Sequence, residues 1–205
     1  MMRKTLRGYN PFICMSAMQK CIRRGLEEEA MLWALEMCYS SKAYFTMTLN
    51  RLRVITIEDV GLADMQTIAV VTSTLDQLKE KRGQAGWRLM LGFVIMALSR
   101  ADKSRDADHF CALTIKGWDD NGPGEIPDFA IDQHTYEGKA KGRGMKHFIE
   151  EGSKVVPDKG DNRYKERWKK MLIEGKYKRG KLRGPEDLFG QYEEQDADGD
   201  EGDMQ

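Results

Sequence analysis

Arg51–Asp64 reads R-L-R-V-I-T-I-E-D-V-G-L-A-D, and the interpretation of this run decides the fold. It joins strong apolar character, two adjacent acids and a glycine in a short space. Val54, Ile55, Ile57, Val60 and Leu62 read as buried. Glu58 and Asp59 then fall inside an apolar run, where a carboxylate is costly unless it is paired or faces a backbone donor. Arg51 and Arg53, about two helical turns upstream, are the nearest counter-charges along the chain. Gly61 reads as a helix stop and Asp64 as the N-cap of the next helix. The run is a core helix closing in a capping junction; a ligand-facing or conformational junction is the alternative reading.

The segments on either side are also helical. Over 12–24 the pairs Ile13/Cys14, Ala17/Met18 and Cys21/Ile22 recur at three and four, and Gly25 ends the pattern. Over 26–39 the inner stripe is Ala30, Trp33/Ala34 and Met37/Cys38, with Glu27–Glu29 favourably placed in the first turn. The short connection predicts antiparallel neighbours. Ser40-Ser41 breaks the pattern before a third helix from Tyr44 to Ile57 or Val60. A fourth helix follows from Asp64 to Lys81, with Ile68, Val71/Thr72, Leu75 and Leu78 on one face. The β-branched run 68–74 also suits a strand, but the length of the periodic pattern favours helix. Trp87–Ser99 is apolar on most faces, which predicts a central helix or one covered by a partner subunit. A sixth helix, 104–118, points Ala107, Phe110/Cys111 and Ile115 inward, with His109 beside that face as a structural histidine.

The fold expected is therefore all-α: a helical bundle over 12–118, preceded by a basic lead-in (1–11, with Arg3, Lys4 and Arg7). Asp119-Asp120-Asn121-Gly122-Pro123-Gly124 marks a linker over 119–125. A Gly-dotted arm over 126–183 follows, with short helices at 130–138, 145–151 and 163–173, and an acidic tail over 184–205 with the composition of a disordered segment. The whole chain is formally neutral, but the charges are segregated. Residues 134–183 hold 16 Lys/Arg against 7 Asp/Glu, whereas 193–203 hold 7 acids and no base.

Cys14, Cys21, Cys38 and Cys111 form no C-x-x-C pair and read as free, mostly buried thiols in a reducing compartment. Thirteen methionines suit an adaptable core or interface. There is no secretory h-region and no apolar run of about 18 residues, so a soluble cytoplasmic protein without membrane contact is expected.

Residues 15–115 resemble the C-terminal region of RarA/MgsA-type replication-associated recombination ATPases. The resemblance is carried by Ser16-Ala17-Met18-Gln19-Lys20 with Ile22-Arg23, and by Glu29-Ala30-Met31-Leu32-Trp33 with Met37. It continues in Ile57-Glu58-Asp59-Val60-Gly61-Leu62-Ala63-Asp64, and in Ile95-Met96-Ala97-Leu98 followed by Lys103-Ser104. It implies a helical module that plays the collar role of clamp loaders and assembles into oligomers, typically tetramers. Where the family usually has proline after the final aspartate of the central piece, Met65 stands here. The 205 residues contain no G-x-x-x-x-G-K-[ST], and Gly138–Gly144 is glycine-rich and basic but wrongly spaced, so no nucleotide cofactor is expected. The resemblance suggests a stand-alone accessory protein of a bacterial or phage-infected cell.

In the arm, glycines alternate with positive charge, and Tyr136, Phe148, Tyr164, Trp168 and Tyr177 are interleaved with it. That combination suits phosphate contacts plus stacking on unpaired bases; a solvated basic surface or an intersubunit salt-bridge face is the alternative. Lys139, Lys141, Arg143, Lys146, Lys169 and Lys170 are the phosphate candidates and Trp168 the stacking candidate. Six such contacts give a log–log salt slope of roughly −5. Asp132, His134, His147 and Glu150 raise a metal-dependent, nuclease-like alternative, but no H-E-x-x-H or C-x-x-C spacing supports it. Histidines that pin the arm onto the core fit better. Asp196-x-Asp198-x-Asp200 begins like a calcium loop, but Glu201 stands at the glycine position and no twelfth-position glutamate follows, so no metal is expected there. The function expected is that of a non-enzymatic DNA replication or recombination accessory protein. It would oligomerise through the core and contact DNA or a replisome partner through the arm. The competing expectation is a protein-binding module that engages an AAA+ ATPase or clamp loader by mimicking its collar.

Overall fold

The computed structural model of the protein describes residues 3–160 and 162–174. Among them are nine α-helices and no strand. The chain divides after Gly124 into two compact units.

The first unit is a five-helix bundle with a sixth helix leaving it. Asn10 caps α1 (Pro11–Arg23) by accepting from the Phe12 N–H at 2.9 Å, and Pro11 occupies the first helical position, where a missing N–H is harmless. Gly25 turns the chain into α2 (Glu27–Ser40). Ser41 then caps α3 (Lys42–Ile55) through the Tyr44 N–H at 3.0 Å. α4 (Met65–Lys79) and α5 (Trp87–Arg100) complete the bundle, and the β-branched run of α4 is helical. The core joins Cys14, Met18 and Ile22 of α1 to Ala30, Ala34 and Met37 of α2 and Leu49, Leu52 and Ile55 of α3. Val71, Leu75 and Leu78 of α4 and Leu91, Val94 and Leu98 of α5 close it. Burial pushes the Cys38 thiol up to about 12, so it stays protonated and inert.

Several expectations change. Ile13 is exposed, because the buried face of α1 is made by Pro11, Cys14, Met15, Met18 and Ile22. α5 is not central: Leu89, Phe93 and Met96 face outward. Residues 3–10, expected as a basic lead-in, form a strap across α2. The Arg7 N–H and Nη1 donate to Glu36 at 2.8 and 2.7 Å, the Leu6 N–H donates to Ser40 Oγ at 2.7 Å, and the Tyr44 hydroxyl donates to the Arg3 carbonyl. Tyr9 packs edge-on against Trp33.

Beyond α3 the helix widens into a π turn, Thr56–Val60, closed by the Gly61 N–H donating to Thr56 O, and then tightens into a 3-10 turn, Gly61–Ala63. Gly61 has φ +52°, and a Cβ there would sit 2.8 Å from the Ser104 carbonyl oxygen. Asp64 caps α4, accepting from the Thr67 N–H at 2.9 Å and from the Thr67 hydroxyl at 2.6 Å. These two bonds hold its carboxyl below the usual range.

α6 (Asp106–Asn121) corrects the expected sixth helix in two ways. It absorbs Asp119-Asp120-Asn121 of the expected linker and stops at Gly122. It also buries no residue: Phe110, Cys111 and Ile115, read as inward, are exposed, and so is His109.

The second unit contains a 3-10 turn (Asp128–Ala130), α7 (Tyr136–Ala140), α8 (Met145–His147) running into a π turn (Phe148–Gly152), and α9 (Lys165–Ile173). The helix expected over 130–138 starts only at Tyr136. Asp132 draws the chain into a turn first, accepting from the His134 N–H through its carboxylate and from the Thr135 N–H through its carbonyl. Gly138 packs so tightly on this turn that a Cβ would meet the Asp132 carbonyl oxygen at 1.7 Å. Among the described residues no helix is long and apolar enough to cross a membrane.

Two measurements test this account. Gly61→Ala combines a disfavoured φ with a clash against backbone and is expected to lower stability in urea by about 2 kcal/mol or more. Burial raises the Glu36 carboxyl, but the Arg7 N–H, the Thr5 hydroxyl and the Arg7 guanidinium outweigh it and hold the group below the ordinary glutamate range. A depressed folded-state value gives stability that is present above the unfolded value and lost as pH falls through the folded one. Glu36→Gln is therefore expected to cost about 2 kcal/mol at pH 7. Its difference from wild type should shrink at pH values below about 4, as read by thermal melts across pH.

Candidate functional site

The π turn that follows α3 carries Asp59 inward to 1 % exposure, while Val54, Ile57 and Leu62 point outward. The sequence expectation that all five apolar residues of the run are buried holds only for Ile55 and Val60.

The counter-charges of the two acids come from elsewhere in the bundle. Arg23 of α1 forks across both: Nε donates to Asp59 Oδ1 at 2.7 Å and Nη2 to Glu58 Oε1 at 3.1 Å. Gln19, one turn earlier, donates Nε2 to Glu58 Oε2 at 3.0 Å and to Asp59 Oδ2 at 3.2 Å. Arg105, at the start of α6, lies 3.5 Å from Glu58 and 3.9 Å from Asp59 and also pairs with Asp108. The expected partners are not used. Arg53 binds Asp76 of α4 at 2.7 Å, and Arg51, two turns or roughly 10 Å along the axis from Glu58, takes no part. Ser104 closes the junction by donating its N–H to Val60 O at 3.3 Å. Lys103 donates to the Ser99 and Ala101 carbonyls, and burial draws its amine below the usual lysine range. Arg23, Gln19, Lys103 and Arg105 thus belong to the junction but were not assigned to it from sequence. Gln19, Arg23 and Lys103 stood in the quoted pieces Gln19-Lys20, Ile22-Arg23 and Lys103-Ser104, which converge on the central one, and Arg105 follows directly on the last.

In the second unit the six basic candidates do not form one free patch. Arg143 is a structural clamp: Nη1 donates to the Asp128 and Ile131 carbonyls at 2.8 and 2.5 Å, and Nη2 to the Asp128 carboxylate at 2.6 and 2.7 Å. This guanidinium holds the Asp128 carboxyl well below its usual range. Lys141 lies 3.7 Å from the same acid, Lys146 is 4.0 Å from Glu150, Lys169 is 3.8 Å from Glu166, and Lys170 is 3.8 Å from Glu174. Lys139 has no ion pair among the described residues. Residues 125–174 hold 11 Lys/Arg and 10 Asp/Glu, so the folded arm is close to neutral. The excess lies in 175–183, with 5 Lys/Arg and no acid, which falls outside the described residues, as do Tyr177 and the acidic tail.

Trp168 and Lys169 do come together with partners that sequence reasoning did not assign. They line a cleft of about 780 Å³ with Tyr164, Lys154, Lys165 and Val155. Lys154 is paired with Glu151 and Lys165 with Asp158. His134 binds Asp132 at 3.1 Å and packs edge-on against Phe148, both within its own unit. His147 lies near enough to Asp128 and Asp132 to lower both carboxyls along with their closer partners, while its Nδ1 is buried without a hydrogen bond. Among the described residues no group of three or more His, Cys, Asp or Glu side chains is placed to hold a metal ion.

The model of the MgsA AAA+ ATPase C-terminal family matches residues 27–172. The chain belongs to that family. The match begins at the start of α2 and ends within α9, so the acid junction and the folded arm both lie inside the family domain, and α1 with Arg23 lies outside it. No curated protein matches the chain.

Arg23→Ala leaves Asp59 buried and underpaired, and is expected to cost about 3 kcal/mol in urea unfolding. Arg51→Ala should stay within about 0.5 kcal/mol of wild type. Replacing Arg23 and Asp59 together by Met and Leu should recover most of the loss.

Proposed function

We propose that the chain is a non-enzymatic accessory factor of DNA replication or recombination, self-associating through its helical first unit and contacting DNA through its second. The observation that carries the proposal is α6. Its Phe110, Leu113, Ile115 and Trp118 project on several sides of the helix, and Leu113 and Trp118 are 75 and 63 % exposed. A helix of 16 residues with no buried face is marginal by itself in water. Gly117 has nothing within 4 Å of where its Cβ would stand, which leaves room for a second helix to approach closely. A second copy of the chain is the occupant that the family resemblance favours, with a tetramer as the assembly.

DNA contact is supported by the cleft of the second unit, where Trp168 and Tyr164 offer faces for unpaired bases beside Lys154, Lys165 and Lys169. Because these lysines already have acidic neighbours, most of the phosphate attraction is assigned to Lys139 and to the bases between Lys176 and Arg183. Reversing Arg143 would test the fold of the unit and not its affinity.

Mass in solution by light scattering should show an oligomer that Leu113→Glu with Trp118→Glu converts to monomers; a wild-type monomer at all concentrations would end the assembly reading. In anisotropy with single-stranded DNA, Trp168→Ala should weaken binding about tenfold, the equivalent of about 1.4 kcal/mol of stacking. Reversing Lys176, Lys178 and Arg179 should flatten the salt dependence. Unchanged affinity and slope in both variants would remove DNA from the account.

A further inference from the structure

α2 and α5 run antiparallel, tied at both ends. Arg100 near the end of α5 grips Glu27 at the start of α2 with bonds of 2.7 and 2.6 Å, and Arg88 at the start of α5 donates to the Tyr39 hydroxyl at 3.2 Å. Between these ties their outer faces form a groove of about 470 Å³ lined by Met31, Leu32, Gly92, Ile95 and Met96, with Glu27 and Glu28 at one end. Leu89, one turn before Gly92 and 79 % exposed, extends the apolar surface together with Phe93.

Gly92 is the informative residue. A glycine inside a helix costs about 1 kcal/mol against alanine. Packing within the chain does not require it: a Cβ there would meet only Met31 Cε, at an ordinary 3.8 Å. Its missing side chain keeps the floor of the groove open to something approaching from outside. The groove is also charged in one sense. Its two charged lining residues are both acids, and Glu28 has no ion-pair partner among the described residues, whereas Glu27 is held by Arg100. Met31 and Met96 give walls that adapt to different apolar side chains.

We infer that the α2–α5 groove docks a basic amphipathic helix of a protein partner. Apolar anchors spaced at three and four fill the Gly92 notch, and a Lys or Arg beside them pairs with Glu28. Two open helix faces meeting in a trough match that mode of recognition, and the acidic end sets the charge of the occupant. This docking is independent of α6 and of DNA contact.

The test uses the full chain and a fluorescent synthetic helix with leucine every three or four residues and lysine on the remaining face, against the same peptide with glutamate for lysine. The lysine peptide should bind saturably and the glutamate peptide about tenfold more weakly or not at all. Gly92→Leu, which raises helix propensity and fills the notch, should weaken the lysine peptide about tenfold, with no loss of thermal stability. Glu28→Lys should weaken it about fivefold and improve the glutamate peptide. Equal binding of the two peptides overturns the inference. So does binding that survives Gly92→Leu, which would place the peptide on the acidic C-terminal segment. A change of oligomeric mass in Gly92→Leu would make the groove a contact between copies of this chain and overturn it as well.

Discussion

The bundle depends on one buried charge. Asp59 is removed from water in the π turn that follows α3, and removing a carboxylate from water costs several kcal/mol before its partners are counted. The forked guanidinium of Arg23 and the Gln19 amide offset that cost, and meeting their geometry fixes where α1 lies against the end of α3. Arg105 and Ser104 then bring the start of α6 to the same point. Three helices far apart in sequence are registered by two adjacent acids. An apolar pair could supply similar stability but would specify the meeting point of the helices less closely.

Glycine and turn geometry serve that point. The wide turn Thr56–Val60 places Glu58 and Asp59 together, and Gly61 leaves it at a φ that other residues avoid, with the Ser104 carbonyl where a Cβ would be. π turns of this kind often mark functional sites. Here the turn builds a joint from which α6 departs.

Much of the fold was legible in the sequence, because the buried stripes of α1, α2 and α4 repeat at three and four and the caps at Ser41 and Asp64 are ordinary. What misled was reading residue type where helix face decides: Ile57 is apolar and exposed, and Asp59 is charged and buried. The partners of Asp59 were not legible from nearest neighbours along the chain, since Arg23 is thirty-six residues away. α6 has an apolar pattern that periodicity assigns to a core, yet that core is already closed by α5. In the second unit the bases counted along the sequence stand beside acids that the count alone does not place. Each of five candidates lies beside an acid, and Arg143 holds two carbonyls besides. Sequence counts charges; only the fold pairs them.

The strap of residues 3–10 and the joint at Gly61 act at opposite ends of the bundle, and the joint carries the root of α6. Ser104 and Arg105 belong at once to the Asp59 cluster and to the root of α6. A partner that covered α6 would therefore bind a helix whose root is held by the cluster. By thermodynamic reciprocity, covering α6 must tighten the cluster by the same free energy that the intact cluster lends to the covering. Folding of the joint and any occupation of α6 would then be linked, and with its own copies as the occupant the stability of this chain would depend on its concentration.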